Sequence, residues 1–183
     1  MDPSEELCSE VRAALGAKSA RVTERIQSLW SGYGGILRIA VEGFALPSVV
    51  VKSVEPPSQR KHPRGWSSDV GHERKLKSYH VEHYWYERYA PRCGAGCPVP
   101  RAFHLKEGEG RWLFVLEDLD AAGFSERRHS LSRAEMGARL NWLATFHATF
   151  LGEQPQGLWQ PGTSWHLGTR QEAWEVIGHA RVT

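Results

Sequence analysis

A run of three valines followed by a lysine, Val49-Val50-Val51-Lys52, constrains the fold of this chain more than any other segment. β-Branched side chains favour an extended backbone, so the run predicts a buried strand. Alternate side chains of a strand share a face, which places Val50, Lys52 and Val54 together and Val49 and Val51 on the opposite face. A lysine on a buried face needs water or an anion for its ammonium group. Lys52 is therefore either a strand-end lysine that reaches solvent or one half of a specific ionic contact.

The composition fits an ordinary globular protein. The chain has 183 residues, 40% hydrophobic and 24% charged, enough for one domain or for one domain and part of another. Its net charge of +2 gives no sign of a nucleic-acid partner. The apolar runs are too short to cross a membrane, and the N-terminus lacks the pattern of a secretory signal. Three cysteines make no disulfide framework, so we expect a cytoplasmic protein with reduced thiols.

The segments around the valine run predict an antiparallel meander. Strands are predicted over 25–30, 36–41 and 48–54, with a glycine-rich turn over 31–35 and a second turn over 43–47. Short connections favour antiparallel neighbours. The glycines of the first turn fit either a hairpin that needs positive φ or a loop whose bare amides approach a phosphate. The turn is not a Walker loop, because no Gly-Lys-Ser/Thr follows and the next element is a strand.

Helical patterns precede and follow this meander. A short amphipathic helix at the N-terminus ends at Gly16. A long helix is predicted over 69–90, where Pro91 ends it. Glu82 lies among aromatic residues of this helix, although a solvated glutamate is the ordinary interpretation of such a position. A third helix begins at the capping box formed by Ser132 and Glu135 and runs to about residue 150.

Two further strands, over 101–105 and 111–116, complete an α+β pattern. Cys93 and Cys97 lie in the loop before them. They could form half of a zinc site, but the sequence offers no second pair, so we expect reduced thiols and no metal. A last short helix is predicted over 169–177.

The order of these elements resembles the small lobe of the protein-kinase-like superfamily, on its small-molecule kinase branch of ecdysteroid-kinase-like proteins, choline kinases and aminoglycoside phosphotransferases. The resemblance covers about residues 29–150. It is carried by Val49 to Lys52, Glu82 to Pro91, Pro98 to Arg101, Val115 to Leu119 and Leu143 to Ala148. It implies an α+β fold with a kinase-like small lobe over 1–120, built from a five-stranded antiparallel sheet and one long helix. Residues 121–183 would be the first helices of an incomplete large lobe.

The resemblance also implies a site for ATP. Lys52 would contact the α- and β-phosphates, and Glu82 would hold that lysine in place from the helix. Val50 would cover the adenine, the glycine-rich turn would cover the phosphates, and the backbone of 117–119 would be the hinge that pairs with the adenine edge. The implied nucleotide-binding residues are Lys52, Glu82, Ser31, Gly32, Gly34, Gly35, Val50, Glu117 and Leu119.

The acids that perform chemistry in this family lie beyond the helix that ends near residue 150, and the sequence from 152 to 183 contains no aspartate. Phosphoryl transfer depends on magnesium and an oriented hydroxyl. We therefore expect the nucleotide-binding lobe of an ATP-dependent small-molecule phosphotransferase, truncated and inactive, with magnesium and a small-molecule acceptor only in a full-length relative. One alternative is a non-catalytic kinase-like binding or regulatory fragment, with a protein partner on an exposed helix over 132–151. Another is an unrelated α+β interaction domain in which Lys52 and Glu82 are surface residues.

Overall fold

A computed structural model of the chain describes residues 3–29, 32–56 and 69–160. In chain order the elements are α1 (Pro3–Leu15), β1 (Ser19–Ser28), β2 (Gly34–Glu42), β3 (Ser48–Val54), α2 (Asp69–Arg88), a short 3₁₀ helix (Ala90–Arg92), β4 (Ala102–Gly108), β5 (Arg111–Glu117) and α3 (Arg133–Thr149). This order confirms the predicted α+β class. Ser31 and the helix predicted over 169–177 lie outside the described residues. Within residues 3–29, 32–56 and 69–160, no helix has the length and hydropathy of a membrane-spanning segment.

The five strands form one open antiparallel sheet in the order β1-β2-β3-β5-β4, which confirms the predicted sheet. The valine-rich β3 lies at its centre, and Lys52 is paired with Ile36 of β2 on one side and Phe114 of β5 on the other. A central strand has covered faces on both sides, which explains why β3 reads as a nearly continuous apolar run.

Each face of the sheet packs against a helix. Val49 and Val51 are fully buried in a cluster with Val11 of α1. Val54 belongs to a second cluster, with Phe114 of β5, on the face that α2 covers. The alternation predicted along β3 is therefore confirmed, and Lys52 lies on the α2 face.

The edge strand β1 differs from its predicted range, because it begins at Ser19 rather than at residue 25 and ends at Ser28. Ser19 already pairs with Glu42 of β2. Most side chains of an edge strand are solvent-exposed and polar, so its sequence shows little hydrophobic alternation. In this strand only the partly buried Ala20 and Val22 pack against the cluster that contains Val11. Two apolar positions are too few to predict a strand from hydrophobic alternation.

Gly34 and Gly35 belong to β2 rather than to the predicted turn. They pair with Val54 and Ser53 of β3. Gly34 has a φ of 120°, and a Cβ atom at this position would lie 2.1 Å from the carbonyl oxygen of Ser53. Only glycine allows the two backbones to approach so closely. The prediction was wrong here because this requirement arises from strand pairing, which the local sequence does not reveal.

α3 begins as predicted and is largely exposed. Both hydrogen bonds of the capping box between Ser132 and Glu135 are present. Trp142 donates from Nε1 to the carbonyl oxygen of Pro98 at 2.9 Å, but none of the side chains of this fully described helix is buried. Leu140 and Leu143 are 59% and 43% exposed, so this helix presents an apolar surface.

Candidate functional site

Lys52 and Glu82 form an ion pair that joins β3 to α2, with Nζ of the lysine donating to Oε2 of the glutamate. The side chain of Lys52 is 15% exposed and that of Glu82 is 32% exposed. The structure thus favours a specific ionic contact over a lysine that simply reaches solvent. Because the pair is partly shielded from water, it holds the ammonium group in one direction.

Aromatic rings surround this ion pair. Nζ of Lys52 lies 5.0 Å from the ring centroid of Tyr79 and 5.4 Å from that of Phe114, within the range of cation–π attraction. Burial, followed by the nearby charge of Glu82, raises the pKa of Tyr79 to about 12. The same two causes raise the pKa of Tyr86 to about 12. Both phenols are therefore neutral at physiological pH, and Lys52 is the cation among them.

The turn between β1 and β2 folds toward the same part of α2. Tyr33 is buried, and its ring centroid lies 6.2 Å from that of Tyr79. Its hydroxyl is hydrogen-bonded to Nδ1 of His72 at 2.5 Å. Since the ring of Tyr79 also faces the ammonium of Lys52, the glycine-rich turn lies on the Lys52 side of the sheet.

The structure separates the glycines that the resemblance grouped together. Gly32 is exposed in the turn, with a φ of 74°. Gly34 and Gly35 are paired with residues of β3, so their backbone is part of the sheet and not of the turn. Ser31 lies outside the described residues, which leaves Gly32 as the described glycine with an exposed position in the turn.

Val50 lies on the same face as Lys52 and is half-buried. Its paired neighbours across the sheet are Arg38 of β2 and Leu116 of β5. Val50 therefore leaves part of its apolar side chain exposed on the face that carries the ion pair.

The predicted hinge follows β5. The amide of Glu117 donates to the carbonyl oxygen of Arg101 at 2.8 Å, and the carbonyl oxygen of Leu119 accepts from the amide of Phe124 at 2.7 Å. The amide of Glu117 and the carbonyl of Leu119 are therefore already paired within the protein.

Asp118 is a site residue to which the sequence analysis gave no side-chain role. It is 2% exposed, and within the described residues it is the one charged side chain that is buried. Its Oδ2 accepts from Oγ of Ser48 at 2.7 Å and from Nε of Arg38 at 2.9 Å, and its Oδ1 accepts from the amide of Asp120 at 3.1 Å. Burial acts to raise the pKa of Asp118, but these hydrogen bonds and the charge of Arg38 together lower it below its ordinary value.

The two ends of the candidate site differ in charge. Arg38 is also paired with Glu24 and Asp120, so carboxylates outnumber guanidinium groups around it. At the other end, the positive charge of Lys52 is matched by the negative charge of Glu82. Ser48 and Lys52 share one face of β3 four residues apart, a separation of about 13 Å. The Asp118 end therefore carries an excess of negative charge, whereas the charges at the Lys52 end balance.

A separate pocket of about 420 Å³ lies where α2 meets the segment after α3. The guanidinium group of Arg92, which lines this pocket, is paired with Glu153. The pocket is lined by Tyr84, Arg88, Tyr89, Arg92, Glu153, Gln154 and Gln156.

In the described part of the chain, no group of three or more His, Cys, Asp or Glu residues is placed to hold a metal ion. Cys93 and Cys97 are free thiols, and burial, with the neighbouring Cys97, raises the pKa of Cys93. No protein-family model matches the chain, and neither does any curated protein. The candidate function therefore rests on the geometry of the site.

Proposed function

We propose that this chain binds ATP on the α2 face of the sheet, as the nucleotide-binding lobe of an ATP-dependent small-molecule phosphotransferase. The observation that carries the proposal is the ion pair between Lys52 of the central strand and Glu82 of the facing helix. Protein kinases use a strand lysine paired with a helix glutamate to hold the phosphates of ATP.

The chemistry along this face follows the order that a nucleotide requires. The ammonium of Lys52 would meet the α- and β-phosphates, with the glycine-rich turn at Gly32 above them. Half-buried Val50 would lie against the base. The backbone of 117–119 would pair with the polar edge of the base. A cytoplasmic setting, in which thiols stay reduced, is part of the proposal.

Transfer of the γ-phosphoryl group to a hydroxyl of a small metabolite needs more than this face. It requires magnesium and an oriented hydroxyl, and no aspartate occurs between residues 152 and 183. For this chain we propose nucleotide binding alone. Magnesium binding, an acceptor and turnover would require a full-length relative that carries the catalytic and metal-binding aspartates.

A second candidate is a non-catalytic kinase-like protein that binds a protein partner through α3. It is favoured by the exposed Met136, Leu140 and Leu143, whose spacing places them on one side of the helix. ATP binding that requires Lys52 supports the first candidate. ATP-independent association that Leu140→Glu abolishes supports the second.

A thermal-shift titration with ATP tests the nucleotide site. Ligand at about 100 times its dissociation constant adds roughly 2.7 kcal/mol of stability, which gives a readily measured rise in Tm. We expect Lys52→Ala to abolish this rise and Lys106→Ala to retain it. Lys106 is a matched control because it also pairs with a glutamate, Glu10 of α1, at an exposed position. Equal ATP-induced shifts in the parent and Lys52→Ala would contradict the proposal.

A further inference from the structure

We infer that Asp118 is a positioning residue, whose buried carboxylate fixes the hinge segment 117–119 so that its backbone can meet the base of the nucleotide. The inference rests on the proposed nucleotide site. Asp118 and its partners Ser48 and Arg38 would support recognition of the base, whereas Lys52 would contact the phosphates.

The burial of Asp118 indicates a specific role. A carboxylate is costly to remove from water unless hydrogen bonds and an opposite charge replace the solvent. Asp118 obtains both from two other strands, through Ser48 of β3 and Arg38 of β2. These bonds connect the segment after β5 to the middle of the sheet.

The backbone around Asp118 is fixed by the same network. The amide of Asp120 donates to Oδ1 of Asp118, and the carboxylate of Asp120 accepts from Arg127 at 2.7 Å. Arg127 also donates to the carbonyl oxygen of Phe124 at 2.9 Å, and the amide of Phe124 is bonded to Leu119. The hinge is therefore ordered before a ligand arrives, which reduces the conformational entropy lost on binding.

The bond from Ser48 to Asp118 also sets the position of the hinge relative to Lys52. Both Ser48 and Lys52 belong to β3 and lie on the same face, so the strand acts as a rigid spacer of about 13 Å between them. Loss of the Asp118 carboxylate would free the hinge while leaving Lys52 and Glu82 in place.

A comparison of two probes, ATP and inorganic tripolyphosphate, separates base recognition from phosphate binding. We expect Asp118→Asn and Ser48→Ala to weaken ATP binding about tenfold in calorimetric titrations, the equivalent of one net hydrogen bond. Binding of tripolyphosphate, which has no base, should remain at the parent value. Glu126→Gln is the matched control, because Glu126 follows the hinge but pairs with exposed Arg128, and it should bind both probes as the parent does.

Ser48→Ala keeps the carboxylate of Asp118 and its charge. This variant therefore tests the positioning role even if Asp118→Asn does not fold. Unchanged ATP binding in Ser48→Ala, or a parallel loss of both probes, would overturn the positioning role. Lys52→Ala should instead lose both probes. A parent protein that binds neither probe would refute the nucleotide site itself, and the positioning role with it.

Discussion

Lys52 of β3 and Glu82 of α2 are joined by an ion pair on the α2 face of the sheet, where the lysine side chain is 15% exposed. The pair connects the central strand to the long helix and directs the ammonium toward α2. Because Tyr79 and Phe114 flank the ammonium, water screens the attraction between the two charges less than it would at a fully exposed position. The position of α2 therefore determines which way the lysine points.

Replacement of Glu82 should destabilise the fold, because it leaves the ammonium of Lys52 partly buried without its anion. We expect Glu82→Gln to lower the free energy of unfolding by about 1–3 kcal/mol in urea titrations. Glu10→Gln, which breaks the exposed pair with Lys106, should lower it by no more than about 1 kcal/mol. A loss for Glu82→Gln no larger than that of the control would show that the pair is fully solvated.

Asp118 should make the stability of the fold depend on pH in the acid range. Although burial acts to raise its pKa, the bonds from Ser48 and Asp120 and the charge of Arg38 lower it in the folded state. The resulting stability is fully present above the unfolded-state pKa of about 3.9 and is lost as the pH falls through the lower folded-state pKa. Urea titrations between pH 7 and pH 3 should therefore show a steeper acid loss for the parent than for Asp118→Asn. Equal losses in the two proteins would argue against the lowered pKa.

Gly34 should tolerate no side chain, because a Cβ atom would meet the carbonyl oxygen of Ser53 at 2.1 Å. We expect Gly34→Ala to lower the free energy of unfolding by more than about 2 kcal/mol. Gly32→Ala is the control, since Gly32 also has a positive φ but has no atom within 4 Å of an added Cβ, and it should lose only about 1–2 kcal/mol. Similar losses at the two positions would mean that the close approach of β2 to β3 is not a constraint.

The exposed side of α3 should be replaceable without loss of stability. We expect Leu140→Gln combined with Leu143→Gln to change the free energy of unfolding by no more than about 0.5 kcal/mol per site and to reduce the binding of a hydrophobic dye. Val11→Ala is the contrasting core variant, because Val11 is fully buried, and it should lose about 1–3 kcal/mol. A marked drop in Tm for the α3 variant would indicate that this surface is covered in solution.

Local patterns predicted the parts of the fold that depend on local chemistry. The alternation of the valine run predicted that Lys52 shares a face with Val50 and Val54, and the spacing of Ser132 and Glu135 predicted the start of α3. The role of Asp118 could not be predicted this way, because Arg38 and Ser48 are 80 and 70 residues away in the sequence. The resemblance implied roles for the backbone of Glu117 and Leu119, whereas the side-chain contacts of Asp118 form only when β2, β3 and the segment after β5 pack together.

The most direct test of the nucleotide site is a ¹⁵N NMR titration of the full chain with ATP, after backbone assignment. We expect the amides perturbed by ATP to cluster at 32–36, 50–52 and 117–119, and we expect Lys52→Ala to abolish these shifts at the same ATP concentrations. Shifts confined to the separate pocket near Arg88 and Arg92, or no shifts at millimolar ATP, would contradict it.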